Sequence, residues 1–206
     1  MARELTLVDA GLGNLASVER ALIQVGSAAQ VTDDPDKVAT SRIVVFPGQG
    51  AFGKHTDQLI DGAMGQALKM VIQRGDPFLG ICLGMQLLFE GSEEGGGRRG
   101  LGVLPGRCRR FPDDMSVVEG ESVRKLKIPH MGWNEVQPSG EHYYFVHSYY
   151  VDAGNPDDVM WTTTYGDVTF AAAVRHENIY GCQFHPEKSQ QAGLRFLRAF
   201  VLGSRQ

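Results

Sequence analysis

The 206-residue sequence has few cysteines, no long apolar run and no large excess of charge of either sign. Each shortage excludes a class of protein. The three cysteines, Cys82, Cys108 and Cys182, are odd in number and far apart. They offer neither a disulfide framework nor the paired spacing of a zinc site, so no metal is expected. No apolar stretch approaches the ~20 residues needed to cross a bilayer, and the N-terminus lacks the apolar centre of a secretion signal. A reducing cytoplasm is the expected compartment, with no membrane partner. The net charge of -4 supplies no basic face for nucleic acid. A hydrophobic fraction of 42% against 21% charged residues excludes a disordered chain and is enough for a core. The length suits one domain over residues 1–206, without internal repeat or linker.

What is present in the first half is alternation of strand and helix signals. Leu5–Val8 and Arg42–Phe46 are short apolar runs ended by glycine-rich turns, and Pro77–Ile81 is a third. Helices are expected over Asn14–Val25, over Met64–Gln73 and from Gly84 to Phe89. Ser92–Gly100 is rich in Glu, Gly and Arg and reads as a loop. Beyond it the apolar segments are short and strand-like, as in Tyr143–Val146, Met160–Thr163 and Thr169–Val174. A last helix is expected from about Gln190 to Leu202, with Ser189 as its N-cap. The pattern predicts an α/β fold: an open, mostly parallel sheet flanked by helices, with antiparallel strands added in the second half.

Three strand ends carry the chemistry. Gly80-Ile81-Cys82-Leu83-Gly84 is a cysteine version of the Gly-x-Ser-x-Gly nucleophile elbow. Its glycines admit a tight turn that lifts Cys82 above the sheet. The helix that follows presents unpaired N–H groups and a positive dipole end, surroundings that favour a thiolate. The Leu83 N–H is then a natural oxyanion donor. Gln183-Phe184-His185-Pro186-Glu187 supplies the other two parts: His185 as base, and Glu187, two residues on across a proline-stiffened turn, to orient it. Pro47-Gly48-Gln49-Gly50 closes a third strand with a backbone free to approach a ligand. Carboxyl ends of strands are where open α/β sheets place ligands. The other five histidines, at positions 55, 130, 142, 147 and 176, show no metal spacing and read as surface or structural residues, with His147 expected to border the pocket.

These motifs resemble the class I, triad-type glutamine amidotransferases. Within that class, Pro47–Phe52, Met85–Phe89, Pro129-His130-Met131-Gly132-Trp133-Asn134 and Tyr144–Tyr149 are similar to the glutaminase subunits of imidazole glycerol phosphate synthases. The resemblance runs from Asp9 to Lys188, nearly the whole chain. It implies a flavodoxin-like fold and hydrolysis of L-glutamine by Cys82, His185 and Glu187 through a γ-glutamyl thioester. The oxyanion would be held by backbone at Leu83 and within Gly48, Gln49 and Gly50. Substrate would be bound by Gln86, Glu94, Ser148 and Tyr149. It implies no cofactor. Ammonia would pass to a (β/α)8-barrel cyclase subunit docked near Trp133, Asn134 and Lys188. That partner would make imidazole glycerol phosphate and an aminoimidazole carboxamide ribotide, in histidine biosynthesis. One departure is Gln49, where the family often has valine. The rival readings are a stand-alone γ-glutamyl hydrolase, the glutaminase of pyridoxal phosphate synthase (whose Gly-Gly-Glu-Ser feature is missing), and a catalytically silent binding subunit.

Overall fold

The computed structural model describes residues 5–12, 15–119 and 122–203. Four apolar runs form its parallel centre: β1 (Leu5–Val8), β3 (Ile43–Gly48), β4 (Phe78–Cys82) and β15 (Ile179–Cys182). Every residue of β1, β3 and β4 is buried, as expected of parallel strands covered on both faces. The seven-stranded sheet also takes in β2 (Ala29–Thr32), β13 (Val159–Tyr165) and β14 (Val168–His176), in the order β13-β14-β15-β4-β3-β1-β2. β14 pairs antiparallel with both β13 and β15, which completes the expected mixed sheet.

The period of two along the strands divides the core. Leu5, Leu7, Ile43, Val45, Leu79 and Ile81 point to one face, where α1 (Leu15–Gln24) and α6 (Gln190–Gly203) cover them with Val18, Leu22, Phe196 and Leu197. Val8, Val44, Phe46 and Phe78 point to the other, under Val38 of α2 (Pro35–Thr40), Leu59 of α3 (Lys54–Asp61) and Leu68 and Val71 of α4 (Ala63–Gln73). Gly13 and Asn14, where the first turn and helix were expected to meet, lie outside the described residues.

Two expectations are corrected. The helix after the elbow, α5 (Leu83–Gln86), is a single turn rather than a segment reaching Phe89. Leu87, Leu88 and Phe89 are all fully buried, so no polar face remains for a longer helix, and Phe89 opens β5 (Phe89–Ser92). The segment Ser92–Gly100 is not all loop: β6 (Arg98–Arg99) pairs back onto β5.

The second half adds three smaller assemblies. β5 pairs with β7 (Leu104–Arg110), which pairs in turn with β12 (Tyr149–Ala153). β8 (Ser116–Glu119) and β9 (Ser122–Lys125) form a hairpin, as do β10 (His130–Val136) and β11 (Glu141–His147). Of these pieces, the end of β11 and the start of β12 wall the carboxyl end of the central strands. No helix among the described residues is long and apolar enough to cross a membrane.

Candidate active site

Cys82 sits where β4 becomes α5 with φ 54 and ψ -110, a backbone conformation that a side-chain-bearing residue rarely holds. The surroundings explain how it is maintained. A Cβ on Gly84 would lie 2.0 Å from the Phe46 carbonyl oxygen, and one on Gly80 would lie 2.6 Å from the Gly84 carbonyl oxygen. Strand and helix thus approach until only glycine fits. Leu83 opens α5, and the first N–H groups of a helix have no intrahelical acceptor.

His185 enters from the neighbouring strand end, because β15 lies beside β4 with Cys182 opposite Ile81. Its Nδ1 is 2.8 Å from Glu187 Oε1, and both side chains are almost wholly buried, 2% and 1% exposed. The remaining nitrogen, Nε2, is buried without a hydrogen bond of ordinary geometry, as is Glu187 Oε2. Burial alone would lower the imidazole pKa. Cys82 on one side and Glu187 on the other outweigh it and push His185 up, to about 10. A proton held this tightly stabilises the fold fully below the ordinary histidine value of ~6.5, and that stabilisation is lost as pH rises through about 10. Replacing Cys82 by alanine should therefore lower the His185 titration midpoint, read by NMR. The same midpoint in the variant would mean that Cys82 is not its partner.

Gly48 pairs with Cys82 across β3 and β4, which places the glycine turn at the nucleophile. A Cβ there would lie 2.9 Å from that of Leu83. Of the three expected oxyanion positions, Gln49 is committed elsewhere: its N–H donates to the Leu12 carbonyl. Next to it Gly50 takes φ 108, open to glycine and strained for other residues.

Cys82 and His185 border a cavity of about 390 Å³ that Gln49, Gln86, Glu94 and Tyr149 also line, with Ser148 and Lys188 at its wall. The volume lies in the range of small-ligand sites. Glu94 accepts the Phe52 N–H at 2.8 Å; burial raises its pKa, and that hydrogen bond acts in the opposite sense. Gln86 donates through Nε2 to the Tyr149 carbonyl and to Gln183 Oε1, each at 2.9 Å. Trp133 and Asn134 are not at this cavity. They border a separate surface recess of about 250 Å³ beside β10. Trp133 is 47% exposed and meets Tyr144 edge to face at 6.1 Å, and Lys188 Nζ lies 6.0 Å from the Tyr144 ring. Among the described residues no three His, Cys, Asp or Glu side chains converge as a metal ion requires.

Two site residues escaped the sequence reading. Gln183 reaches Cys82 Sγ through Nε2 at 3.7 Å. Ser189 is not a free cap for α6: its hydroxyl accepts the Tyr144 N–H at 2.9 Å and donates to the His185 carbonyl at 2.6 Å. With the His185 N–H on the Tyr144 carbonyl at 2.9 Å, the histidine is fastened to β11. Their only advance signal was nearness to His185 in the chain.

Fold and site describe a class: α/β proteins with a cysteine elbow, a histidine and a carboxylate gathered at the ends of parallel strands. The comparisons agree. The family model "Glutamine amidotransferase class-I" matches residues 6–203. The imidazole glycerol phosphate synthase subunit HisH of Syntrophotalea carbinolica is 47% identical, covering 95% of this chain and 98% of its own. That of Salinibacter ruber is 44% identical over 95% and 93%. A crystal structure of a glutamine amidotransferase superposes with a TM-score of 0.69 at 18% identity, over 95% of this chain and 98% of that one. The chain belongs to the class-I glutamine amidotransferases, and within them to the HisH subunits of imidazole glycerol phosphate synthase.

Proposed function

We propose that this chain, read as one glutamine amidotransferase domain over residues 1–206, hydrolyses L-glutamine and delivers the ammonia to a cyclase subunit in histidine biosynthesis. The observation that carries the reading is Cys82 on its strained elbow beside a His185 held by Glu187, at the floor of a cavity sized for a small ligand. Cys82 Sγ attacks the side-chain amide carbon of glutamine. His185 takes the thiol proton and gives it to the departing ammonia, leaving a γ-glutamyl thioester. Water then attacks the thioester, His185 accepts its proton, and glutamate leaves with the thiol restored. Glu187 fixes the ring so that Nε2 faces the sulfur. Glu94 suits the α-amino group of the substrate, while Gln86 and the backbone at Ser148 and Tyr149 hold the rest.

The Leu83 N–H receives the oxyanion, and a peptide within Gly48–Gly50 completes the hole. Because the Gln49 N–H rests on Leu12, the hole is incomplete until that turn reorganises. This disfavours a free-standing γ-glutamyl hydrolase, which needs its oxyanion donors in place without a partner. The Trp133, Tyr144 and Lys188 face suits the cyclase, a (β/α)8 barrel that makes imidazole glycerol phosphate and an aminoimidazole carboxamide ribotide. Trp is a common interface anchor. The three cysteines are free thiols, as a reducing cytoplasm keeps them.

The test is glutamate release with and without the cognate cyclase and its nucleotide. Stimulation of roughly 10²–10³-fold is expected, the value of one oxyanion donor. A high rate without the partner, unchanged on adding it, would indicate a free-standing hydrolase instead.

A further inference from the structure

At the wall of the pocket, which His147 itself lines, β10 and β11 carry two buried histidines that the proposed chemistry does not use. His130 and His147 are 3% and 6% exposed. Their Nδ1 and Nε2 atoms, respectively, are 3.1 Å apart. His147 Nδ1 is 2.8 Å from the Tyr149 carbonyl, and His130 Nε2 is 3.3 Å from Asn134 Nδ2.

The direction of every link follows from the two ends. A carbonyl only accepts, so His147 Nδ1 carries a hydrogen and its Nε2 accepts. At the other end Asn134 Oδ1 accepts the Glu135 N–H at 2.9 Å, and Nδ2 donates to the Thr164 carbonyl at 2.9 Å. The amide therefore presents N–H to His130 Nε2, and His130 must donate from Nδ1. Both ends demand the same pair of neutral tautomers. A proton added to either ring sets two donors face to face. Burial pushes His130 down to about 4; burial, reinforced by His130, pushes His147 down to about 3. Packing holds the rings in place: His130 is stacked between Phe145 at 4.9 Å and Tyr165 at 4.1 Å, and His147 lies against Phe111 and Phe170.

The line ends on working atoms. The Tyr149 carbonyl also accepts from Gln86, which continues to Gln183 and to Cys82 Sγ. At the far end, half-buried Asn134 borders the surface recess beside exposed Trp133. We infer that Asn134, His130 and His147 are positioning residues: a hydrogen-bond line of one polarity that aims the Tyr149 carbonyl and Gln86 at glutamine and joins the edge of β10 to the pocket. The inference rests on the glutaminase reading. Turning the Asn134 amide reverses each link and leaves the His147 Nδ1 lone pair against the Tyr149 carbonyl, which must then move. This one alternative neutral arrangement satisfies neither end, since it also sets Asn134 Oδ1 against the Thr164 carbonyl. A group that captures the Asn134 amide thus acts on the pocket without touching it.

Asn134→Asp keeps the shape and imposes the reversed polarity; Asn134→Ala only removes the end. Both are assayed with saturating cyclase and its nucleotide, with ammonia-dependent turnover as the check on assembly. The glutamine KM is expected to rise about tenfold in N134D, roughly what one misdirected hydrogen bond costs, and less in N134A. In either variant kcat should change little. Long-range proton–nitrogen NMR of the wild-type chain should show both rings neutral, protonated at Nδ1 and unchanged from about pH 6 to 8. In N134D, His130 should carry a proton at Nε2. A wild-type Nε2–H tautomer at either ring, or an N134D KM no higher than that of N134A, overturns the inference. If N134D does not fold, the wild-type tautomers still decide it. Absence of wild-type glutaminase activity in the complex would instead refute the functional reading and leave the tautomer result standing.

Discussion

Cys82→Ala is expected to lower glutamate release from glutamine by about 10⁴-fold or more, the usual cost of removing a nucleophile that works as part of a triad. Cyclase turnover supplied with free ammonia should persist, because only ammonia production needs the thiol. The expectation follows from the burial and pairing of the site. Cys108 and Cys182 are also free, yet burial raises both their pKa values well above the ordinary thiol value. Neither substitutes for a thiol on a helix N-terminus beside an imidazole. Retained glutaminase activity in the variant would move the nucleophile away from the elbow. Loss of both glutamine- and ammonia-dependent turnover would mean that the substitution damages assembly rather than chemistry.

The second large effect is expected at a residue that touches no substrate. Gly193, in the first turns of α6, lies so close to the His185-Pro186-Glu187 turn that an added Cβ would stand 1.8 Å from the Pro186 carbonyl oxygen. Gly193→Ala must push helix and turn apart. Overpacking of this kind costs about 1–3 kcal/mol, or several degrees in Tm for a chain of this length. The larger consequence is catalytic. Shifting His185 and Glu187 by about 1 Å should cost roughly 10² in kcat. Gly203→Ala, at the far end of the same helix with open space around it, is the control and should leave both Tm and kcat near their starting values. Wild-type kcat in Gly193→Ala would show that the turn tolerates displacement and that its geometry is not what sets the rate.

What the sequence revealed and what it concealed divide along a physical line. The elbow was legible because its requirements are local: glycines at 80 and 84 bracket one cysteine between an apolar strand and a helix start. The pairing of His185 with Glu187 was legible for the same reason, two residues across a proline turn. β1, β3 and β4 were legible as largely apolar runs, since burial on both faces leaves few polar positions, Thr6 of β1 being one. β2 was not, because it is an edge strand with two of its four residues exposed. Nor were α2 and α3, of six and eight residues, which are too short to show a clear period. α5 was overextended because Leu87, Leu88 and Phe89 suit a buried helix as well as a buried turn and strand. Gln183 and Ser189 stayed hidden for another reason. Each acts through partners distant in the chain, 101 residues from Gln183 to Cys82 and 45 from Ser189 to Tyr144, and residue type alone does not report such contacts.

The most direct test of the account is to treat the complex with a glutamine-like electrophile and map the adduct by peptide mass spectrometry. The account predicts close to one label per chain, all on Cys82, with protection by glutamine and loss of labelling in His185→Asn. A label on Cys108 or Cys182, or none on Cys82 with the loaded cyclase present, would contradict it.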